Sequence, residues 1–100
     1  MPALACDLGA FDAAQRSRYS ALRAELGARR LDVREVADGY VFFYPGEPDV
    51  ILKLAEFVTL ERRCCPFFSF ALEVSPGATP VRLRIGGGPE MKDVLRGQLA

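Results

Sequence analysis

The sequence contains no histidine, and only three of its 100 residues are cysteines. The absence of histidine excludes a Cys-His catalytic pair. Three cysteines, two of them adjacent, do not form the even and spaced set of a secreted disulfide framework. We therefore expect free thiols or metal ligands, in the reducing compartment of the cytosol.

Net charge and long apolar runs are also absent. Thirteen basic and thirteen acidic residues cancel, so no net field attracts nucleic acid or an anionic membrane. No apolar run approaches the roughly twenty residues that a membrane span needs. The N-terminal stretch MPALACDLGAF lacks the positive start and apolar segment of a signal peptide. A cytoplasmic protein that binds neither nucleic acid nor membrane is predicted.

Half of the residues are hydrophobic, and a chain of this length can bury one modest core. Helices are predicted at residues 12–26, 49–64 and 89–99. The first begins with a capping box formed by Asp12 and Gln15 and ends at Gly27. Its buried stripe comprises Phe11, Tyr19, Leu22 and Leu26. Pro66 stops the second helix.

Alternating apolar residues predict strands near residues 31–37, 39–44, 68–74 and 81–85. Asp38-Gly39 is a hairpin turn signal between the first two. The order α-ββ-α-ββ-α predicts a single α+β domain over residues 1–100, with residues 1–10 as a flexible N-terminus. Helices would cover one face of a four-stranded, mostly antiparallel sheet. An uncovered face or edge could pair with a second copy as a homodimer. The aromatic run at residues 40–44 suits a core, a dimer face or a ligand pocket.

The stretch ERRCCPFF, residues 61–68, carries the candidate chemistry. A helical period places Glu61 in the middle of an apolar stripe that includes Val50 and Leu54. Cys64 and Cys65 follow at three- and four-residue spacing, so they converge with Glu61 on the last turn. A buried carboxylate must be neutral, paired or in contact with water. An arginine from a neighbouring strand, Arg82 or Arg84, is one candidate partner.

Adjacency limits what Cys64 and Cys65 can do. Their Cα atoms lie about 3.8 Å apart, below the usual limit of about 4.4 Å for a relaxed disulfide. A helix C-terminus and a nearby carboxylate both oppose a thiolate, so an activated nucleophile is disfavoured. A soft metal displaces the thiol protons and can be held by two adjacent sulfurs. Structural zinc requires four ligands, a set to which Cys6 would have to contribute. Mercury, copper(I) or arsenic(III) would need only two or three sulfurs, and Cys6 could be the third if the N-terminus folds back. Simple packing of small apolar residues at a helix end is the competing interpretation.

The motif resembles a family of small bacterial proteins with an E-x-x-C-C-P-F pattern, which Glu61, Cys64, Cys65, Pro66 and Phe67 match. The resemblance extends over roughly residues 12–99, through the strand FSFALEV and the segment LRIGGGPEMKDVL. It implies that Glu61, Cys64 and Cys65 form the site, and it carries a loose association with mercury and heavy-metal resistance genes. Cys6 lies outside the matching region.

Three functions remain open from the sequence. The first is binding of a soft metal or metalloid ion by Cys64 and Cys65, with Glu61 as third ligand or proton acceptor, for sequestration, delivery or sensing rather than turnover. The second is a thiol-dependent redox protein that cycles a Cys64-Cys65 disulfide. The third is a non-catalytic interaction domain with structural cysteines.

Overall fold

A computed structural model of the chain describes residues 8–77, 79–88, 90, 92, 93 and 96. Its helices and strands are α1 Ala13–Arg29, β1 Asp32–Val36, β2 Gly39–Tyr44, α2 Pro48–Cys64, β3 Ser69–Glu73 and β4 Val81–Gly86. A short 3-10 helix, Leu8–Ala10, precedes α1. The predicted α+β domain is confirmed. Residues 1–7 of the expected flexible N-terminus, and most of the predicted helix at 89–99, lie outside the described residues.

The four strands form one antiparallel sheet in the order β1-β2-β4-β3. Each predicted hairpin forms, and β2 and β4 join the two hairpins at the centre of the sheet. Phe42 lies opposite Leu83, and Tyr40 lies opposite Ile85. These four side chains are buried, whereas Arg84, which alternates with them, is exposed. The sheet therefore has one buried face, as the alternating sequence predicts.

Helix α1 begins as the sequence predicts but ends later. Asp12 accepts a hydrogen bond from the backbone of Gln15, whose side chain accepts one from the backbone of Asp12, which completes the capping box. The predicted end at Gly27 is wrong, because the helix continues to Arg29. Glycine permits a left-handed stop without requiring it. Arg29 also pairs with Glu47, with 2.6 Å between Nη2 and Oε1, at the start of α2.

Helix α2 places the ERRCC segment against α1 and the sheet. Pro48 occupies its first turn, where a missing N–H has no cost. Val50, Leu54, Glu61 and Cys64 are its buried residues, and they recur at the spacing of one helical face. No helix in the described part of the chain is long and apolar enough to cross a membrane.

Candidate metal centre at the end of helix α2

Glu61 is the one charged side chain that is buried among the described residues, with 1 % of its surface exposed. The helical period predicts this position, since Glu61 lies on the same face as Val50 and Leu54. A carboxyl group removed from water needs hydrogen-bond partners to offset its lost hydration. The side chains around Glu61 therefore decide what the site can do.

Tyr19 of α1 supplies the strongest of these contacts. Its hydroxyl donates to Oε1 of Glu61 at 2.6 Å, and the whole residue is 3 % exposed. The ring of Phe57 stacks on the ring of Tyr19 with 5.8 Å between centroids, and Phe11 contacts it at 5.3 Å. Tyr19 is thus held in place by aromatic packing, with its hydroxyl directed at the carboxyl group.

The predicted partnership of Glu61 with a strand arginine is wrong. Arg84 pairs with Asp38, with 2.8 Å between Nη2 and Oδ1. Arg82 pairs with Glu73, with 3.6 Å between Nη2 and Oε2. Both arginines belong to the face of the sheet opposite the buried one. Sequence reasoning assigned Tyr19 only to the core stripe of α1. The hydroxyl of Tyr19 on an otherwise apolar stripe could have indicated a buried polar partner, because a buried tyrosine normally makes a hydrogen bond.

Helix α2 ends between the two cysteines. Cys64 is its last residue, and Cys65 has left helical geometry, with φ −126° and ψ 70°. The backbone N–H of Cys65 still donates to the carbonyl of Glu61 at 2.7 Å. Pro66 then prevents another turn. This ending keeps both cysteines beside Glu61.

Three potential metal-ligand atoms, two sulfurs and one carboxyl oxygen, converge at the end of α2. Sγ of Cys64 donates to Oε1 of Glu61 at 3.4 Å, and Sγ of Cys65 lies 3.8 Å from the same oxygen. The two sulfurs are 3.4 Å apart. All three ligand atoms lie within 4.8 Å of one another, and all three residues are buried. The structure therefore brings together the three residues that the sequence selects.

The two cysteines differ in oxidation state. Cys64 is a free thiol, whereas Cys65 is disulfide-bonded. Because Cys64 is free, the bond of Cys65 is not a vicinal one, which agrees with the strain expected of such a ring. The partner sulfur lies outside the described residues, as does Cys6, the remaining cysteine of the sequence. A role for Cys65 as a metal ligand requires that its disulfide be reduced.

Burial raises the pKa values of both Cys64 and Tyr19, so neither side chain readily loses its proton. Burial raises the pKa of the Cys64 thiol to about 12, and the carboxyl group of Glu61 contributes to the rise. Burial and the hydrogen bond to Glu61 also raise the pKa of Tyr19. A rise from 9 to about 12 corresponds to ~4 kcal/mol against ionisation of Cys64. Cys64 is therefore a neutral thiol at neutral pH, and it ionises there only when a cation takes the place of its proton.

A thiophilic cation is such a replacement. A three-coordinate ion bonded to two sulfurs at about 2.3 Å, with angles near 120°, would hold them about 4.0 Å apart. The observed separation of 3.4 Å needs only a small opening. Oε1 of Glu61 lies close enough to become a third ligand. Three ligands fall short of the four that a structural zinc site uses, but they suffice for softer ions with low coordination numbers.

Comparison of the chain with known protein families, with curated proteins and with solved structures finds no match.

Proposed function

We propose that the reduced protein binds one soft metal or metalloid ion, such as mercury, copper(I) or arsenic(III), through Cys64 and Cys65. Glu61 acts as third ligand or accepts a proton when the thiols ionise. The convergence of two sulfurs and one carboxyl oxygen within 4.8 Å supports this proposal. Sequestration, delivery or sensing of the ion in a bacterial cytosol is the corresponding role.

Simple packing accounts for part of the arrangement but not for all of it. Cys64 and Cys65 are fully buried, as small apolar residues at a helix end would be. Packing alone does not explain Glu61, because an apolar residue at this position would avoid the cost of burying a carboxyl group. The position of Glu61 beside both sulfurs is what favours an ion site over a purely structural cysteine pair.

Native mass spectrometry tests the proposal on protein reduced with a phosphine, which contributes no thiol of its own. Mercury(II), copper(I), zinc and arsenite are added separately. We expect one tightly bound mercury ion and the release of about two protons per ion. Cys64→Ser and Cys65→Ser should each weaken mercury binding by more than about 100-fold, and Glu61→Gln by roughly 10- to 100-fold. Arg62→Gln, an exposed residue in the same turn of α2, is the matched control and should bind as the wild type does. Cys6→Ser tests whether the third sulfur of the chain takes part.

Unchanged mercury binding in Cys64→Ser and Cys65→Ser would refute the proposal. If none of the four ions binds the reduced wild-type protein, the cysteines are structural, and the interaction-domain hypothesis gains. Loss of binding in Cys6→Ser together with the other two variants would instead indicate a site built from three sulfurs.

A second candidate function rests on the disulfide of Cys65. The free Sγ of Cys64 lies 3.4 Å from Sγ of this bonded cysteine. After transfer of its proton to Glu61, Cys64 could attack Cys65, form a Cys64-Cys65 bond and release the former partner sulfur as a thiolate. The raised pKa of Cys64 and the strain of a vicinal bond both oppose this step. Peptide mapping of disulfides after stepwise oxidation tests it, since the cycle has no basis if Cys64 and Cys65 never become linked.

A further inference from the structure

A cavity of about 110 Å³ opens to solvent beside the cysteine site. Phe42 and Tyr44 of β2, Leu83 of β4 and Phe57 of α2 contribute to its walls. Glu61, whose carboxyl group contacts both sulfurs, also lines it. Aromatic residues of β2 thus serve both the core and a pocket. A closed apolar cavity of about 150 Å³ can hold one benzene ring, so this open cavity of about 110 Å³ has room for a single aromatic ring with one edge at the opening.

Two arginines give the cavity a positive mouth. Arg23 and Arg30 line it, and both are exposed. The guanidinium of Arg23 lies 5.9 Å from the ring centroid of Tyr19, and that of Arg30 lies 6.0 Å from the ring centroid of Phe42. These ring contacts hold the guanidinium groups near the opening. Guanidinium groups present a planar set of donors that matches a carboxylate.

We propose that this cavity binds a small aromatic carboxylic acid. Its ring lies against Phe42 and Phe57, and its carboxylate pairs with Arg23 and Arg30 at the mouth. Glu61 fixes this orientation, because a ligand carboxylate placed deep in the cavity would face the carboxyl group of Glu61 and be repelled. The proposal does not depend on metal binding, since the cysteines do not line the cavity.

Isothermal titration calorimetry with benzoate, benzyl alcohol and acetate tests the proposal on the full chain. Benzoate has both the ring and the charge, benzyl alcohol lacks the charge, and acetate lacks the ring. We expect a Kd for benzoate of about 0.1 to 1 mM. Benzyl alcohol and acetate should each bind at least about tenfold more weakly, because each loses one of the two interactions.

Two kinds of variant locate the binding. Arg23→Gln and Arg30→Gln should each weaken benzoate binding by roughly tenfold, whereas Arg16→Gln, on α1 but not lining the cavity, should leave it unchanged. Gly27 also lines the cavity, and a Cβ atom added there meets nothing within 4 Å. Gly27→Leu should therefore keep the helical circular dichroism spectrum and abolish benzoate binding by obstructing the cavity.

The proposal is wrong if benzoate does not bind, or if it binds no better than benzyl alcohol or acetate. It is also overturned if benzoate binds normally to folded Gly27→Leu, or if the two cavity arginine variants behave like Arg16→Gln. Loss of mercury binding in the cysteine variants with retained benzoate binding would leave this proposal intact, so it can fail or succeed separately from the proposed metal site.

Discussion

Replacing Cys64 by alanine is expected to make the free energy of unfolding fall less steeply as the pH rises above about 8. The thiol has a pKa of about 12 in the folded protein and about 9 when exposed. Between these values the folded chain keeps a proton that the unfolded chain loses. The folded state then binds more protons, so the free energy of unfolding falls as pH rises. For one thiol, the fall between pH 8 and pH 10 is about 1.4 kcal/mol, and the full loss near pH 12 is ~4 kcal/mol.

Urea unfolding of wild type and Cys64→Ala at pH 8, 9 and 10 measures this contribution. At pH 8 the variant should be less stable by about 1 to 2 kcal/mol, because a buried side chain is truncated. By pH 10 the difference should narrow by about 1.4 kcal/mol, since only the wild type loses the contribution of the thiol. The pKa values of Tyr19 and Tyr44 are also raised, but both tyrosines remain in both proteins. A difference that stays constant from pH 8 to pH 10 would show that Cys64 ionises as an exposed thiol does.

Two further predictions concern stability and can be checked by urea unfolding at neutral pH. Tyr19→Phe removes the hydroxyl that donates to buried Glu61, so unfolding should become easier by about 1 to 3 kcal/mol; a loss below about 0.5 kcal/mol would contradict this contact. Gly39→Ala places a Cβ atom 2.0 Å from the carbonyl oxygen of Ile85, so a loss of about 3 kcal/mol or more is expected. Gly27→Ala, with open space around its Cβ atom, is the control and should gain about 0.5 to 1 kcal/mol; equal effects would contradict the steric explanation.

Local patterns predicted most of the fold. The capping box of Asp12 and Gln15, the first hairpin turn and the stop at Pro66 each act within a few residues. The turn itself consists of Ala37 and Asp38, because Gly39 is already the first residue of β2 and pairs with Val36. The end of α1 is not where the sequence indicates, because Gly27 adopts helical geometry and Arg29 in the last turn pairs with Glu47, eighteen residues further along the chain. Such a contact depends on how α1 and α2 pack, which the sequence pattern near Gly27 does not contain.

The candidate site also has one part that the sequence predicts and one part that it does not. Glu61, Cys64 and Cys65 lie within five residues, so the helical period brings Glu61 and Cys64 together, and a last backbone hydrogen bond to the carbonyl of Glu61 keeps Cys65 beside them. Tyr19 is 42 residues from Glu61, and its contact forms only after the two helices dock. The strand arginines failed as partners because the sheet register places Arg82 opposite Phe43 and Arg84 opposite Val41, on the face away from α2.

The contacts of Oε1 have a consequence for how the protein would respond to an ion. A carboxyl oxygen has two lone pairs, and here one accepts from Tyr19 at 2.6 Å and the other from the thiol of Cys64 at 3.4 Å. An ion that displaces the thiol proton can use the second lone pair and leave the first undisturbed. If the proposed ion binds, α1 therefore stays docked on α2, and binding and release need no rearrangement of the core.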